Sequence, residues 1–367
     1  MINVLYLCEM PAFHISNEVY VLQKHGCRVV VLNLFKRSYE KLQNDEGLSD
    51  VELINFYGRL PFYPAIKYLP LYTAFVDKKR LRQIVSEYNI EIIYSSWSSV
   101  VLPEAATIKK MFPELRWVHR FLMYPASLNG LKSRFENASI WRYLRYADKV
   151  IVHTEAMRSY MTQNVCHCLD KATVLFEKLN ELYFCDSNTV DRFSSSDRKF
   201  HLVFLGTLTR GKVGREMLEY FQALPERIVV HVLATSFVKS ELKGHSESIQ
   251  LFEKKSVGHE LTCFIRRFDG VLALYPKDSS SSFRVDNVIP NRITLALPAQ
   301  VPIYIPDGQL RGAQVELDRI GILEIFRSGD HLLERLENRA SINYGGPAID
   351  EKNIVLGAEF VDVVLNN

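Results

Sequence analysis

The 367-residue chain predicts an α/β fold made of two successive parallel-sheet units. Three observations predict it. Short apolar runs alternate with amphipathic helical patterns, and strand–helix–strand alternation is the mark of a parallel sheet. A polar, serine-rich stretch, CDSNTVDRFSSSDRK from Cys185 onward, interrupts that alternation. The alternation then restarts.

In the first half, strands are expected at residues 2–8, 28–34, 90–94, 116–119, 149–153 and 172–175. Their apolar, β-branched content fits strands buried on both faces. Helical patterns fall at 16–25, 77–88, 101–111, 134–146 and 155–163. Ser16 is placed to cap the first helix and Gly26 to stop it. In the second half, HLVFLG, RIVVHVLA, SIQLFE, GVLALY and VPIYIP read as strands. Helices are expected at 213–223, 259–268 and 291–297, with a terminal helix at 353–364. Gly345-Gly346-Pro347 breaks the chain before that last helix. The expected division is 1–185, a linker at 186–199, a second domain at 200–345 and a tail at 346–367.

Composition excludes several classes. With 47% hydrophobic residues the chain is neither collagen, coiled coil nor bulk disorder. Lys plus Arg total 45 against 42 Asp plus Glu, and a net charge of +3 argues against a nucleic-acid partner. No apolar run reaches the roughly 18 residues of a spanning helix. The opening MINVLYLCEMP lacks a basic stretch and a small-residue cleavage site, so it reads as a first strand rather than a leader. Six cysteines scatter without framework spacing, so reduced thiols in a cytoplasmic protein are expected. Cys166-His167-Cys168 offers three neighbouring ligands where a structural zinc takes four, so no metal is expected.

Residues 56–75 depart from the pattern, with seven aromatics and three prolines, and Lys78-Lys79-Arg80 and Arg82 follow. Residues 101–160 hold ten Lys or Arg against five Asp or Glu. An aromatic stretch beside basic helices suits peripheral contact with an anionic membrane, at its inner face. An ordinary insertion packed on the sheet fits the same residues.

Two segments carry phosphate-binding character. Gly206 to Lys212 spells GxxxxGK after a strand and before a helix, but Val213 stands where a phosphate-loop hydrolase needs Ser or Thr for its metal. What survives is physical: a glycine turn with Thr207, two cations in Arg210 and Lys212, and a helix start. The second segment is VIPNRITLALPAQVPIYIP, residues 288–306, where Asn291 and Arg292 open a helix. Both segments follow strands of the second unit, at the carboxyl ends where open sheets bind ligands.

These residues carry a resemblance. ISNEVYVLQKHGCRVVVLNL, His119-Arg120-Phe121 with Tyr124, ADKVIVHTEAMRSYM, the segment 202–212 and PNRITLALPAQVPI are, in order and spacing, similar to segments of GT-B glycosyltransferases. The chain most resembles the family-four group that builds bacterial surface polysaccharides. The resemblance implies two Rossmann-like domains facing each other across a cleft. It implies a nucleotide-sugar donor in the second domain, and a glycan or lipid-linked acceptor in the first, with no cofactor and no metal. Gly206, Thr207, Arg210, Lys212, Asn291 and Arg292 would hold the donor diphosphate, where charge develops during transfer. His119 falls on the family's active-site histidine. Glu9 and His14, on the loop after the first strand, are placed for acceptor contact or base work.

The chain also departs from the family. Its paired glutamates fall at Asn287 and Leu295, so Asp286 and Asn287 are the remaining candidates for the donor sugar or ribose. Gln300 replaces a glycine, Leu122 an aspartate and Thr207 an arginine. These departures keep two other readings open: a non-catalytic or partner-dependent scaffold, and another GT-B sugar-nucleotide enzyme such as an epimerase.

Overall fold

Runs of Val, Ile and Leu build the first sheet. The structure, a computed structural model, describes all residues except 9–12, 35–41, 44–45, 57–75, 98–100, 123–129, 186–190, 243–246, 276–285, 287–288, 342–353 and 367. Strands β1 (Ile2–Cys8), β2 (Cys27–Asn33), β3 (Glu52–Asn55), β4 (Ile92–Trp97), β5 (Arg116–Phe121), β6 (Lys149–Val152) and β7 (Thr173–Val174) pair in the order β3-β2-β1-β4-β5-β6-β7. Every pairing is parallel. Successive side chains alternate between faces. Val4, Tyr6 and Cys8 of β1 therefore pack on one side, with Val19 and Leu22 of α1 (Phe13–Lys24).

Helix α1 begins earlier than expected. Ser16 is buried inside it rather than capping it. The run of buried residues from His14 through Val19 shows why: packing on the sheet, not a polar cap, fixes this end. Gly26 does stop the helix, with φ +83°. Helices α2 (Lys78–Glu87), α3 (Leu102–Met111), α4 (Gly130–Leu144) and α5 (Glu155–Asn164) lie close to their expected places. Asp77 caps α2 and Thr154 caps α5. Strand β5 runs two residues past His119, because Arg120 and Phe121 continue the register with β4. Strand β3, reading ELIN, was not anticipated; four residues with polar ends leave no periodicity to read.

The second sheet repeats the logic. Strands β8 (Phe200–Phe204), β9 (Ile228–Leu233), β10 (Ile249–Phe252), β11 (Gly270–Leu272), β12 (Ile303–Pro306) and β13 (Leu323–Phe326) pair in the order β10-β9-β8-β11-β12-β13, all parallel. Its helices are α6 (Ser194–Asp197), α7 (Lys212–Gln222), α8 (Ser236–Leu242), α9 (His259–Ile265), α10 (Asn291–Ala296), α11 (Arg311–Ile320) and α12 (Gly329–Ser341). Its core centres on Leu202, Phe204, Phe221, Val230 and Leu272.

The compact units are 1–176 with 356–367, and 177–355. This differs from the division expected from the sequence. The serine-rich stretch supplies α6 to the second unit, while its residues 186–190 lie outside the described ones. The last helix, α13 (Ala358–Leu365), belongs to the first unit. Phe360 meets Tyr94 edge-on at 5.7 Å, and Arg116 donates to Val363 O at 3.1 Å.

The cysteines correct the expectation of six reduced thiols. Cys166 is bonded to Cys168, and Cys185 to Cys263. The second pair is 78 residues apart in sequence, so its juxtaposition on α9 is a product of the tertiary fold that spacing does not reveal. Cys8 and Cys27 are buried and take part in neither disulfide.

Inside the first unit lies a charged cluster. Arg120 on β5 pairs with Glu18 on α1, and both side chains are 1% exposed. The Tyr6 hydroxyl donates to the other Glu18 oxygen. Burial, then the Glu18 anion, holds the Tyr6 hydroxyl well above its ordinary pKa, so it stays a donor. Arg120 also lies 5.8 Å from the Phe360 ring centroid. Removing one member of such a pair strands a buried charge at a cost of about 3–5 kcal/mol. Arg120→Ala is expected to lower unfolding free energy by about that much in urea titration. The double variant Glu18→Leu with Arg120→Met should lose less than Arg120→Ala alone.

Candidate functional site

The carboxyl ends of β8 and β11 bring the two phosphate-binding segments together. After β8 the chain turns at Gly206; after β11 it continues through Leu274 and Tyr275. Arg292, from α10, lies between them. Its guanidinium carbon is 4.7 Å from the Phe204 ring centroid and 4.1 Å from that of Tyr275. Its Nη1 donates to Leu274 O at 3.0 Å. Stacking between two aromatic faces fixes the plane of a guanidinium, which a lysine could not reproduce.

Gly206 is required by this packing. A Cβ there would sit 2.4 Å from the Phe204 ring and 3.0 Å from Arg292 Nη2. The arginine's outer nitrogen therefore lies directly beside the glycine turn. Among the described residues no carboxylate pairs with Arg292. Burial pulls its pKa down from the ordinary arginine value, yet arginine keeps its charge in proteins. A half-buried cation with no counter-ion among the described residues is a candidate site for an anion.

Tyr275 is held by Gln309. Its N–H donates to Gln309 Oε1 and its carbonyl accepts from Gln309 Nε2, both at 2.9 Å. Burial pushes the Tyr275 hydroxyl up to about 12, with Arg292 opposing the shift. Phe204, Tyr275 and Gln309 were missed in the sequence. The only signal was the aromatic ending of GVLALY.

The rest of the expected set is more dispersed. Thr207 and Arg210 are exposed on the turn after β8. Gly211, with φ +137°, ends that turn at the start of α7. Lys212 is the first residue of α7, and its side chain lies outside the described part. A Cβ on Gly214 would sit 2.2 Å from Thr209 O, so this glycine lets the turn fold tightly onto α7. Asn291 is exposed at the first position of α10. That helix has only 6 residues, so its dipole adds little and Arg292 carries the charge. Asp286 accepts from Leu310 N at 2.9 Å, pinning the left-handed Leu310 that precedes α11. Asn287 and Glu9 lie outside the described residues.

His14 corrects its expected place: it sits buried in the first turn of α1, against Phe13, not on the preceding loop. His119 is wholly buried on β5. Its Nδ1 is 2.8 Å from Ser95 Oγ, which accepts from Trp117 Nε1 at 2.8 Å. Trp117 can only donate, so Ser95 has its own proton free for Nδ1, which puts the imidazole proton on Nε2. That Nε2 has no partner among the described residues. Burial lowers the His119 pKa to about 3, so the ring is neutral.

Part of the basic excess of the first unit is spent internally. Lys109 meets Asp148 at 2.8 Å, Arg158 meets Glu155 at 2.8 Å, and Arg120 is buried on Glu18. Among the described residues one trio has metal-ligating atoms close together, Cys185, His259 and Cys263, within 4.8 Å of one another. Two of the three are tied up as a disulfide. None of the described helices is long and apolar enough to cross a membrane.

No protein-family model matches the chain. No curated protein matches it either. Solved structures do. A glycosyltransferase from Rickettsia africae is 13% identical, with TM-score 0.62, covering 100% of this chain and 94% of its own. Anabaena HepE in complex with UDP is 12% identical, with TM-score 0.65, covering 99% of this chain and 97% of its own. The UDP-GlcNAc 2-epimerase from Neisseria meningitidis, bound to UDP-GlcNAc, is 12% identical, with TM-score 0.57 and full coverage of both chains. At this identity the likeness shows the fold. The chain has the two-unit α/β fold of the GT-B glycosyltransferases.

Buried neutral imidazoles make stability depend on pH. His119 and His231 both have their pKa lowered to about 3 from 6.5; burial is the main cause, and His201 beside His231 adds to the second shift. The unfolded chain takes up these protons near 6.5 and the folded chain only near 3. Their contribution is therefore complete above pH 6.5 and lost as pH falls toward 3. A pH series of melting temperatures should fall across that interval, and His119→Gln should flatten the fall. Identical slopes in both proteins would rule out this role for His119.

Proposed function

We propose that the chain is a nucleotide-sugar enzyme, and that it transfers the sugar to an acceptor. The observation that carries this is Arg292, stacked between Phe204 and Tyr275 beside Gly206 without a carboxylate partner among the described residues. A diphosphate supplies the missing anion, and the turn at Gly206 lets backbone amides approach it. Arg210, Lys212 and Asn291 are proposed to add donors to the same diphosphate, stabilising the charge that builds on the leaving group. Solved neighbours of the same fold are described with UDP, UDP-glucose and UDP-GlcNAc, so uridine nucleotides are the first ligands to test.

The first unit is proposed to take the acceptor, a glycan or lipid-linked saccharide of surface polysaccharide synthesis. His119 Nε2, a buried donor with no partner among the described residues, is the group proposed to reach it. A lipid-linked acceptor at an anionic surface is supported by Trp141, exposed on α4, with Arg145 stacked 5.7 Å from its ring. Asp286, engaged at Leu310, is kept only as a proposed support for the loop near the donor.

Epimerisation is the second reading, favoured by the epimerase neighbour that matches the full chain. Products separate the two. Transfer releases nucleoside diphosphate only with an acceptor or by slow hydrolysis, whereas an epimerase converts the donor alone.

UDP and a panel of UDP-sugars should raise the melting temperature. Charge-assisted hydrogen bonds contribute about 1.5–3 kcal/mol, so Arg292→Ala should weaken UDP binding by about 10–100-fold in calorimetry. Arg292→Lys should recover little of that, because an ammonium cannot stack as a plane. Lack of stabilisation by any nucleotide or nucleotide sugar would sink the proposal.

A further inference from the structure

The amino-terminal edge of the second sheet carries a separate cavity of about 420 Å³. Lys199 and Phe200 lie at the start of β8, Asp269 directly before β11 and Pro302 directly before β12, and all line it. Gly206 and Arg292 lie at the opposite, carboxyl ends of these strands. The cavity therefore shares no residue with the proposed nucleotide site.

Its lining is built for an anion. Arg192, Arg198, Lys199 and Arg339 face it, against one carboxylate, Asp269. Asp269 is already engaged, accepting from Ser194 Oγ at 2.9 Å and from His201 N at 2.7 Å. Arg339 is balanced by Glu324. Arg198 and Lys199 stand side by side on the lining, and convergent cations select a phosphate.

Its floor is polar and rigid at one point. Tyr304 lines the cavity and is 1% exposed. Arg339, Glu324, Asp269 and Arg192 all lie within electrostatic reach of its hydroxyl. Gly270 seats the ring: a Cβ there would be 2.5 Å from the Tyr304 ring and 2.8 Å from Pro302 O. A buried hydroxyl aimed into a basic cavity wants a ligand oxygen. The volume lies in the range of small-ligand pockets.

We propose that this cavity binds a phosphomonoester of a small hydroxylated molecule, such as a sugar phosphate. Arg198 and Lys199 meet the phosphate, and Tyr304 meets a ligand hydroxyl. Calorimetry on the full chain with glucose 6-phosphate, inorganic phosphate and glucose tests it. Glucose 6-phosphate should bind, phosphate more weakly, and glucose not at all. The double substitution of exposed Arg198→Glu with half-buried Lys199→Glu should weaken glucose 6-phosphate by about tenfold or more, with the melting temperature kept. Tyr304→Phe should narrow the preference over inorganic phosphate. Saturating UDP and Arg292→Ala should leave the affinity unchanged, so failure here is distinct from failure of the nucleotide site. The proposal is overturned if neither anion binds, if UDP competes, or if the double variant binds like the parent. Equal affinity for phosphate and glucose 6-phosphate overturns the hydroxylated part.

Discussion

The buried pair of Glu18 and Arg120 is the contact on which the first unit depends. It joins α1 to β5 across the face of the sheet where Tyr6 and Tyr94 also pack. Through the Phe360 ring it also engages the last helix, so both ends of the chain meet one ion pair. Two charges taken out of water need near-complete hydrogen bonding to offset their desolvation. Here the Tyr6 hydroxyl donates to the second carboxylate oxygen, and the Phe360 ring centroid lies 5.8 Å from the guanidinium. Such a pair is weak evidence of stability, but it strongly penalises any packing that separates its members.

A second arginine in a similar aromatic setting does the reverse. Arg120 has its carboxylate built in; Arg292 has two rings and a carbonyl but no acid among the described residues. The stack and the Gln309 clamp on Tyr275 hold the plane of Arg292 in advance, which lowers the ordering cost of binding an anion. One arginine thus fixes the fold and the other is left with charge to offer. The same contrast separates the histidines: His201 and His231 hydrogen-bond each other at 2.8 Å, whereas His119 keeps one nitrogen without a partner among the described residues.

Much of the architecture was legible because both sheets are parallel and buried, so their strands read as continuous apolar runs. Gly26 was legible as a local stop. The place of Ser16 was not, because burial of α1 overrides capping. Strand β3, four residues with polar ends, carries too little periodicity to read, whereas α11 and α12 are amphipathic helices on which no expectation was placed. The disulfide of Cys185 and Cys263 and the Tyr275–Gln309 clamp join residues far apart in sequence, and no local spacing encodes them. Glu18 and Arg120 stood inside quoted motifs, yet only the structure shows them meeting. Gly206 and Arg292 were each readable as phosphate-binding elements. Their convergence was expected from their place at strand ends, but the aromatic sandwich was not.

The central claim is that Arg292 awaits a diphosphate. The most direct measurement is a crystal structure of the chain with UDP. Diphosphate oxygens are expected within hydrogen-bonding distance of Arg292 Nη2 and of the backbone amides at Gly206, with the Phe204 and Tyr275 rings unmoved. UDP bound elsewhere, or a diphosphate that leaves Arg292 untouched, would contradict it.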